Sequence, residues 1–104
     1  MSETITFTTC KDRRQAAAIA RALVKEKLAA CVNIVPGVRS IYVWEGRLEE
    51  GREVLLLIKS REALSKRLTA RVKELHSYSV PEVVTMPIAS GNADYLRWIR
   101  ESTR

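Results

Sequence analysis

Near the start of the chain the side chains alternate, Ile5, Phe7 and Thr9 pointing one way and Thr4, Thr6, Thr8 and Cys10 the other. That period of two predicts a β-strand. The period then changes. Asp12 with Gln15 three residues on reads as a capping box. Ala16, Ile19, Ala20, Leu23, Val24 and Leu28 follow at helical spacing and predict a helix over 13–28. From Ala29 to Trp44 the chain reads as extended backbone, broken only at Pro36-Gly37, where Pro lacks the ladder donor and Gly marks a bulge or bend. The reversal is expected between Glu45-Gly46 and Gly51-Arg52, and residues 53–60 follow as a third strand, apolar on both faces and therefore central. Ser60 is placed to cap a second helix with a Leu64, Leu68, Val72 and Leu75 stripe. His76 to Ser79 is a loop. Val80 to Ala89 is extended again, with Pro81 and Pro87 confining it to an edge or to irregular pairing. Gly91-Asn92 ends that segment and caps a short last helix carrying Tyr95, Leu96, Trp98 and Ile99.

The order is β-α-β-β-α-β with a terminal helix. Right-handed crossovers turn this into an α+β, ferredoxin-like sandwich with a long central hairpin. The second strand is far longer than the typical strand of about five or six residues. It overshoots the core of a small domain and carries Tyr42 and Trp44 at its far end. Such an arm needs a surface to lie against, and another copy of the same chain would supply one. Tyr42 and Trp44 have a second reading, as a base-stacking pair on a sheet. RNA-recognition modules of this topology, however, carry aromatics on both central strands, and the third strand here has none. Burial in a subunit interface, where Trp and Tyr are enriched, accounts for them better.

The 104 residues, 46% apolar and 29% charged, suit one domain over 1–104. No apolar run reaches the ~18 residues of a membrane span, so no membrane partner is expected. The opening Met1-Ser2-Glu3-Thr4-Ile5 has neither the basic nor the apolar region of a secretory signal; a cytoplasmic protein is expected. Cys10 and Cys31 fit no zinc-knuckle or redox spacing. The net charge of +6 admits an anionic partner, but the basic residues are scattered over helix surfaces among acids, and nucleic acid is not the expected partner.

Catalytic motifs are missing: no phosphate-binding glycine loop, no HExxH, no nucleophile elbow, and a single histidine, His76, with no activated serine beside it. An enzyme is not expected. One constellation remains. In this topology the end of strand 1, the end of helix 2 and the start of strand 4 meet, which gathers Cys10, His76 and Glu82 at one pole. A thiolate, an imidazole and a carboxylate suit copper or zinc. Lys11, Arg13, Arg14 and a helix N-terminus next to Cys10 favour its thiolate. The competing reading makes His76 a cap for the last helix carbonyls and Glu82 a surface acid.

Several segments resemble the CutA family, named for divalent-cation tolerance. They are Leu28-Ala29-Ala30-Cys31-Val32-Asn33-Ile34-Val35-Pro36-Gly37, Ser40-Ile41-Tyr42-Val43-Trp44-Glu45-Gly46, Glu53 to Lys59, Val80-Pro81-Glu82-Val83, and Gly91-Asn92 with Tyr95-Leu96-Arg97-Trp98. The resemblance runs from about Thr8 to Ile99. It implies a ferredoxin-like subunit in a homotrimer assembled by edge-to-edge pairing of long strands, and a role in tolerance to copper and other divalent ions. It also implies that Cys10 and His76 take the positions of the family's copper ligands, with Glu82 close by; the departures below leave fewer ligands, so the expectation is weak copper binding that folding does not require. Two departures stand out. The family's His-Pro-Tyr-Glu is here His76-Ser77-Tyr78-Ser79, and Leu75 stands where some copper-binding members have a second histidine. A second function class, by analogy of fold, is a trimeric signalling protein of the nitrogen-regulatory type that holds a small anion between subunits.

Overall fold

The computed structural model describes residues 2–104. Its elements are β1 (Glu3–Cys10), α1 (Arg13–Lys25), β2 (Cys31–Trp44), β3 (Arg47–Arg61), a 3-10 turn (Glu62–Leu64), α2 (Ser65–Leu75), β4 (Val84–Pro87) and α3 (Ala93–Glu101). The four strands form one antiparallel sheet in the order β2-β3-β1-β4. This is the expected α+β architecture.

One face of the sheet carries the core. Cys10, Val54, Leu56 and Ile58 pack against Ala16, Ile19 and Leu23 of α1 and Leu68 and Val72 of α2. β1 contributes Thr4, Thr6, Thr8 and Cys10 to this side, all at most 2% exposed. Their partners in register are Ser60, Ile58, Leu56 and Val54. The larger apolar side chains of β1, Ile5 and Phe7, therefore face away from α1 and α2, level with Lys59 and Leu57. Among the described residues, α3 packs on this second face at one end. There Arg100 bonds Glu3 at 3.0 Å and Arg61 bonds Thr103 at 2.9 Å. Tyr95 lies beside Cys31, and burial, followed by that neighbour, raises its phenol pKa.

Beyond the body, residues 38–53 of β2 and β3 pair only with each other, because β1 stops at Cys10 opposite Val54. They form an arm that stretches the molecule to 44 × 25 × 23 Å. The radius of gyration, 14.1 Å, exceeds the ~13 Å of a compact chain of this length. The register slips by one residue between Val35 and Val38, at Pro36-Gly37, with Gly37 at φ 83°. This is the expected bulge. It moves Val38, Ser40, Tyr42 and Trp44 onto the same face as Leu55 and Glu53.

Four expectations change. α1 stops at Lys25 rather than residue 28. Lys27 turns left-handed (φ 61°), and the Leu28 N–H donates to Leu23 O and the Lys27 N–H to Val24 O, a Schellman ending. Leu28 keeps the helical period because the motif folds it back onto Leu23. The reversal is tight, a two-residue turn at Glu45-Gly46 with φ 53° and 79°, so β3 begins at Arg47 rather than at 53. Positive φ at both positions matches the twist of a hairpin. Ser60 is a buried strand residue whose hydroxyl donates to Leu28 O at 2.7 Å, not a helix cap. The residue at the N-cap of α2 is Leu64, which the core holds at 4% exposure. Finally, the last strand is only Val84–Pro87, and pairing with β1 runs one residue beyond it, where the Ile88 N–H donates to Glu3 O at 2.9 Å.

Two stability predictions follow from these geometries. Glu45→Asn, which tolerates the left-handed region better, stabilises the protein by about 0.5–1 kcal/mol. The Oγ1 atoms of Thr4 and Thr8 are buried and unpaired among the described residues. Thr8→Val, which removes an unsatisfied hydroxyl and keeps the branched shape, adds about 1–2 kcal/mol. Urea midpoints at a fixed protein concentration check both; a lowered midpoint in either variant contradicts the corresponding geometry.

Candidate functional site

Cys10, His76 and Glu82 occupy the same end of the molecule but not the same environment. Strand alternation sends Cys10 into the core with Val54 and α1, fully buried. Burial, then the nearby charges of Glu53 and Asp12, push its thiol up to about 11. The expected help from Lys11, Arg13, Arg14 and the helix N-terminus is overridden, because the sulfur points inward while those side chains are exposed. The thiol is protonated at neutral pH.

His76 follows the last residue of α2 and is 9% exposed. Its Nδ1 accepts the Tyr78 N–H at 3.2 Å, so Nε2 carries the proton and donates to Thr9 O at 2.8 Å. Both ring nitrogens are thereby engaged, and the ring ties the α2–β4 loop to the end of β1. The Tyr78 ring leans on it with centroids 4.7 Å apart.

Glu82 lies on the other side of the sheet. Continuing the β1–β4 register past Phe7 and Val84 brings it level with Thr9, whose side chain faces away from α1 and α2. Glu82 is exposed. Among the described residues no three His, Cys, Asp or Glu side chains form a group able to hold a metal ion. The pole thus brings Cys10 and His76 to neighbouring points of β1, while the sheet itself separates Cys10 from Glu82.

What Glu82 does line is a cleft of about 630 Å³ between the arm and the α2–β4 loop. Thr9 and Glu53 form its floor, Tyr42 and Trp44 come from the arm, and Tyr78 and Glu82 close the loop side. Tyr78 Oη donates to Glu53 Oε2 at 2.8 Å. Burial first, then this bond and the Glu53 charge, raise the phenol pKa well above its ordinary value, so it stays a donor. No lysine or arginine lines the cleft, and neither Glu53 nor Glu82 forms an ion pair among the described residues. Sequence reasoning named Tyr42, Trp44 and Glu82 but did not join them. Joining them takes the full span of β3 and the one-residue size of the slip at Pro36-Gly37, where the sequence announces a bulge or bend but not how far it shifts the register.

Tyr42 and Trp44 are 47% and 50% exposed in the single chain, as are neighbouring arm residues such as Val43 at 67% and Leu48 at 77%. No described helix is long and apolar enough to cross a membrane.

Comparison with known proteins supplies the context for this geometry. Residues 4–102 match the family model of the CutA1 divalent ion tolerance protein. The divalent-cation tolerance protein CutA of Thermus thermophilus is 52% identical over 101 residues, covering 97% of this chain and 98% of that protein. Protein CutA of Homo sapiens is 46% identical over 97 residues, 93% of this chain; the match spans about half, 54%, of the human protein. The crystal structure of CutA1 from Oryza sativa superposes with a TM-score of 0.97 at 45% identity, over all of this chain and 95% of that one. With family model, sequence and fold in agreement, the chain belongs to the CutA1 family of divalent ion tolerance proteins.

Proposed function

We propose that this protein serves divalent-cation tolerance as a homotrimer that binds rather than catalyses, with copper as a weakly held ligand. The observation that carries the assembly is the placement of apolar side chains. Ile5, Phe7, Leu55 and Leu57 lie on the sheet face away from α1 and α2 and are only partly buried. On the same face Val84 and Met86 of β4 are 50% and 51% exposed. Contiguous apolar surface of this kind marks an interaction site. The outer edges of β2 and β4 also carry free backbone donors and acceptors, a template for pairing with another chain.

Copper is the metal to which the family resemblance points, and Cys10 and His76 are the residues proposed to meet it. Their geometry supports weak binding only. A metal needs the thiolate and a free imidazole nitrogen; here the thiol is held protonated and both nitrogens are bonded. Uptake therefore requires local opening of the His76 contacts. The cleft weighs against the nitrogen-regulatory reading, since carboxylates line it and no basic residue does.

Light scattering is expected to give the mass of a trimer, and Trp44→Glu to lower it; a wild-type mass of one subunit overturns the assembly. Copper titration against a competing chelator is expected to show weak, saturable binding that Cys10→Ala with His76→Ala abolishes. Binding that persists in the double variant removes these residues from the site. The pH dependence has a definite sign. Because the thiol must lose its proton and its pKa is raised from 9.0 to about 11, apparent affinity rises with pH, by up to about tenfold per unit below that value.

A further inference from the structure

We propose that the outer face of α1 and α2 is a docking surface for the sugar-phosphate backbone of a nucleic-acid duplex. Residues 11–27 and 65–75, the two helices with their end turns, hold ten of the 18 basic residues and three of the 12 acidic ones. That is a net +7, against +6 for the whole chain, and it leaves −1 for everything else, the arm included. Along the sequence these residues read as scattered among acids, the ground for expecting no nucleic-acid partner; folding gathers them on one side. The three acids are already engaged. Glu26 and Glu74 both bond Arg71, and Asp12 accepts the Gln15 N–H at the start of α1. The other nine basic side chains are exposed and form no ion pair among the described residues.

The helical period arranges these charges. Ile19 and Leu23 of α1 and Leu68 and Val72 of α2 turn into the core. Arg14, Arg21 and Lys25, at i, i+7 and i+11, fall on the opposite side of α1, and Lys66 and Lys73, at i and i+7, do the same on α2. Arg67 flanks the second row. The row on α1 spans about 16 Å at ~1.5 Å per residue, and packed helices lie ~8–10 Å apart. The small side chains of Ala18 and Ala70 are exposed among the charges, so the face is a flat plate of cations. A duplex offers charge on that scale, about one phosphate per ~1.7 Å of its axis. Phosphate contacts need only such cations, whereas base reading needs an element inside a groove. Neither helix contains an aromatic residue, so the plate lacks the stacking platforms that single strands use. A lipid surface takes amphipathic helices by their apolar face, and here that face is spent in the core; Val24, 42% exposed, is the one large apolar side chain left open on either helix. The plate also lies across the sheet from Ile5, Phe7, Val84 and Met86, so the proposed assembly leaves it open.

The test is fluorescence anisotropy of a labelled mixed-sequence DNA duplex of about 24 base pairs, titrated with the full chain at about 50 to 200 mM salt. Saturable binding is expected that weakens steeply as salt rises. Arg21→Gln combined with Lys66→Gln is expected to weaken it at least about tenfold at ~100 mM salt. The same pair makes the log–log salt slope shallower by about 1.5, the loss of two phosphate contacts. Arg97→Gln with Arg104→Gln removes the same charge from α3 and the chain end, and is expected to change affinity less than about threefold. Absence of binding at ~50 mM salt, equal losses in the two variant pairs, or a salt slope that the plate variant leaves unchanged each overturns the proposal. Tighter binding to phosphatidylserine–phosphatidylcholine vesicles than to the duplex assigns the face to a membrane instead, and competition by polyglutamate as strong as that by unlabelled duplex assigns it to an acidic protein; either result also overturns it. Light scattering on the same sample judges the assembly separately. A trimer that ignores the duplex refutes this surface alone, and a monomer that binds it refutes the trimer alone.

Discussion

Side chains on a strand alternate with a period of two, so the residue inserted at Pro36-Gly37 carries every later side chain of β2 to the opposite face. On an unbroken strand Tyr42 and Trp44 would fall in line with Ile34, on the side of α1 and α2. With the bulge they join Val35 and Leu55 on the side those helices leave uncovered. The cleft, the exposed face of the arm and the surface available to another chain all depend on that one insertion. Proline and glycine suit it for separate reasons. Proline has no N–H to leave unpaired in the broken ladder, and glycine accepts φ 83° without a Cβ clash.

The same alternation explains why the sulfur–imidazole pole is chemically quiet. Even-numbered residues of β1 build the core and odd-numbered ones face the other way, so Cys10 is a core residue before it can be a ligand. Its raised pKa is the electrostatic expression of that burial. His76 is equally committed, because a buried ring with an unpaired nitrogen would be costly and both of its nitrogens are satisfied by backbone groups. Two residues suited to metal have been drawn into holding the structure together. Across the sheet Glu53 accepts the Tyr78 phenol, while Tyr42, Trp44 and Glu82 make no side-chain hydrogen bond or ion pair among the described residues.

Element order, the long strand, its bulge, the Asp12 cap of α1 and the Asn92 cap of α3 were all legible in the sequence, because each has a local cause. The misreadings arose where tertiary context displaced a local rule. Lys27 occupies the left-handed position that glycine usually marks, so nothing in composition announced the end of α1. Glu45-Gly46 makes the two-residue turn usually written Asn-Gly, and the charged stretch after it looked like loop although it is strand. Ser60 has the chemistry of a cap but is spent on Leu28 O inside the sheet. The pole was half legible. That β1, α2 and β4 meet there follows from topology, whereas the separation of Cys10 from Glu82 needed the knowledge of which β1 face is inside.

That face is the less apolar one. Threonines at 4, 6 and 8 pack beneath the helices, two with hydroxyls that find no partner among the described residues, while Ile5 and Phe7 lie on the open side. For a chain that worked alone this distribution is backwards, since fully burying a Phe or Ile contributes about 1.5–3 kcal/mol and the open side realises only part of it. Under the proposed assembly the distribution has a reason. The inner face needs only β-branched side chains that fill the space under two helices, and threonine's methyl does so. The larger side chains then sit where a neighbouring copy would complete their burial. Part of the stability this sequence can reach would then be available only on association, which ties folding to assembly and keeps the arm's exposed Ile41, Val43 and Leu48 from being a standing liability.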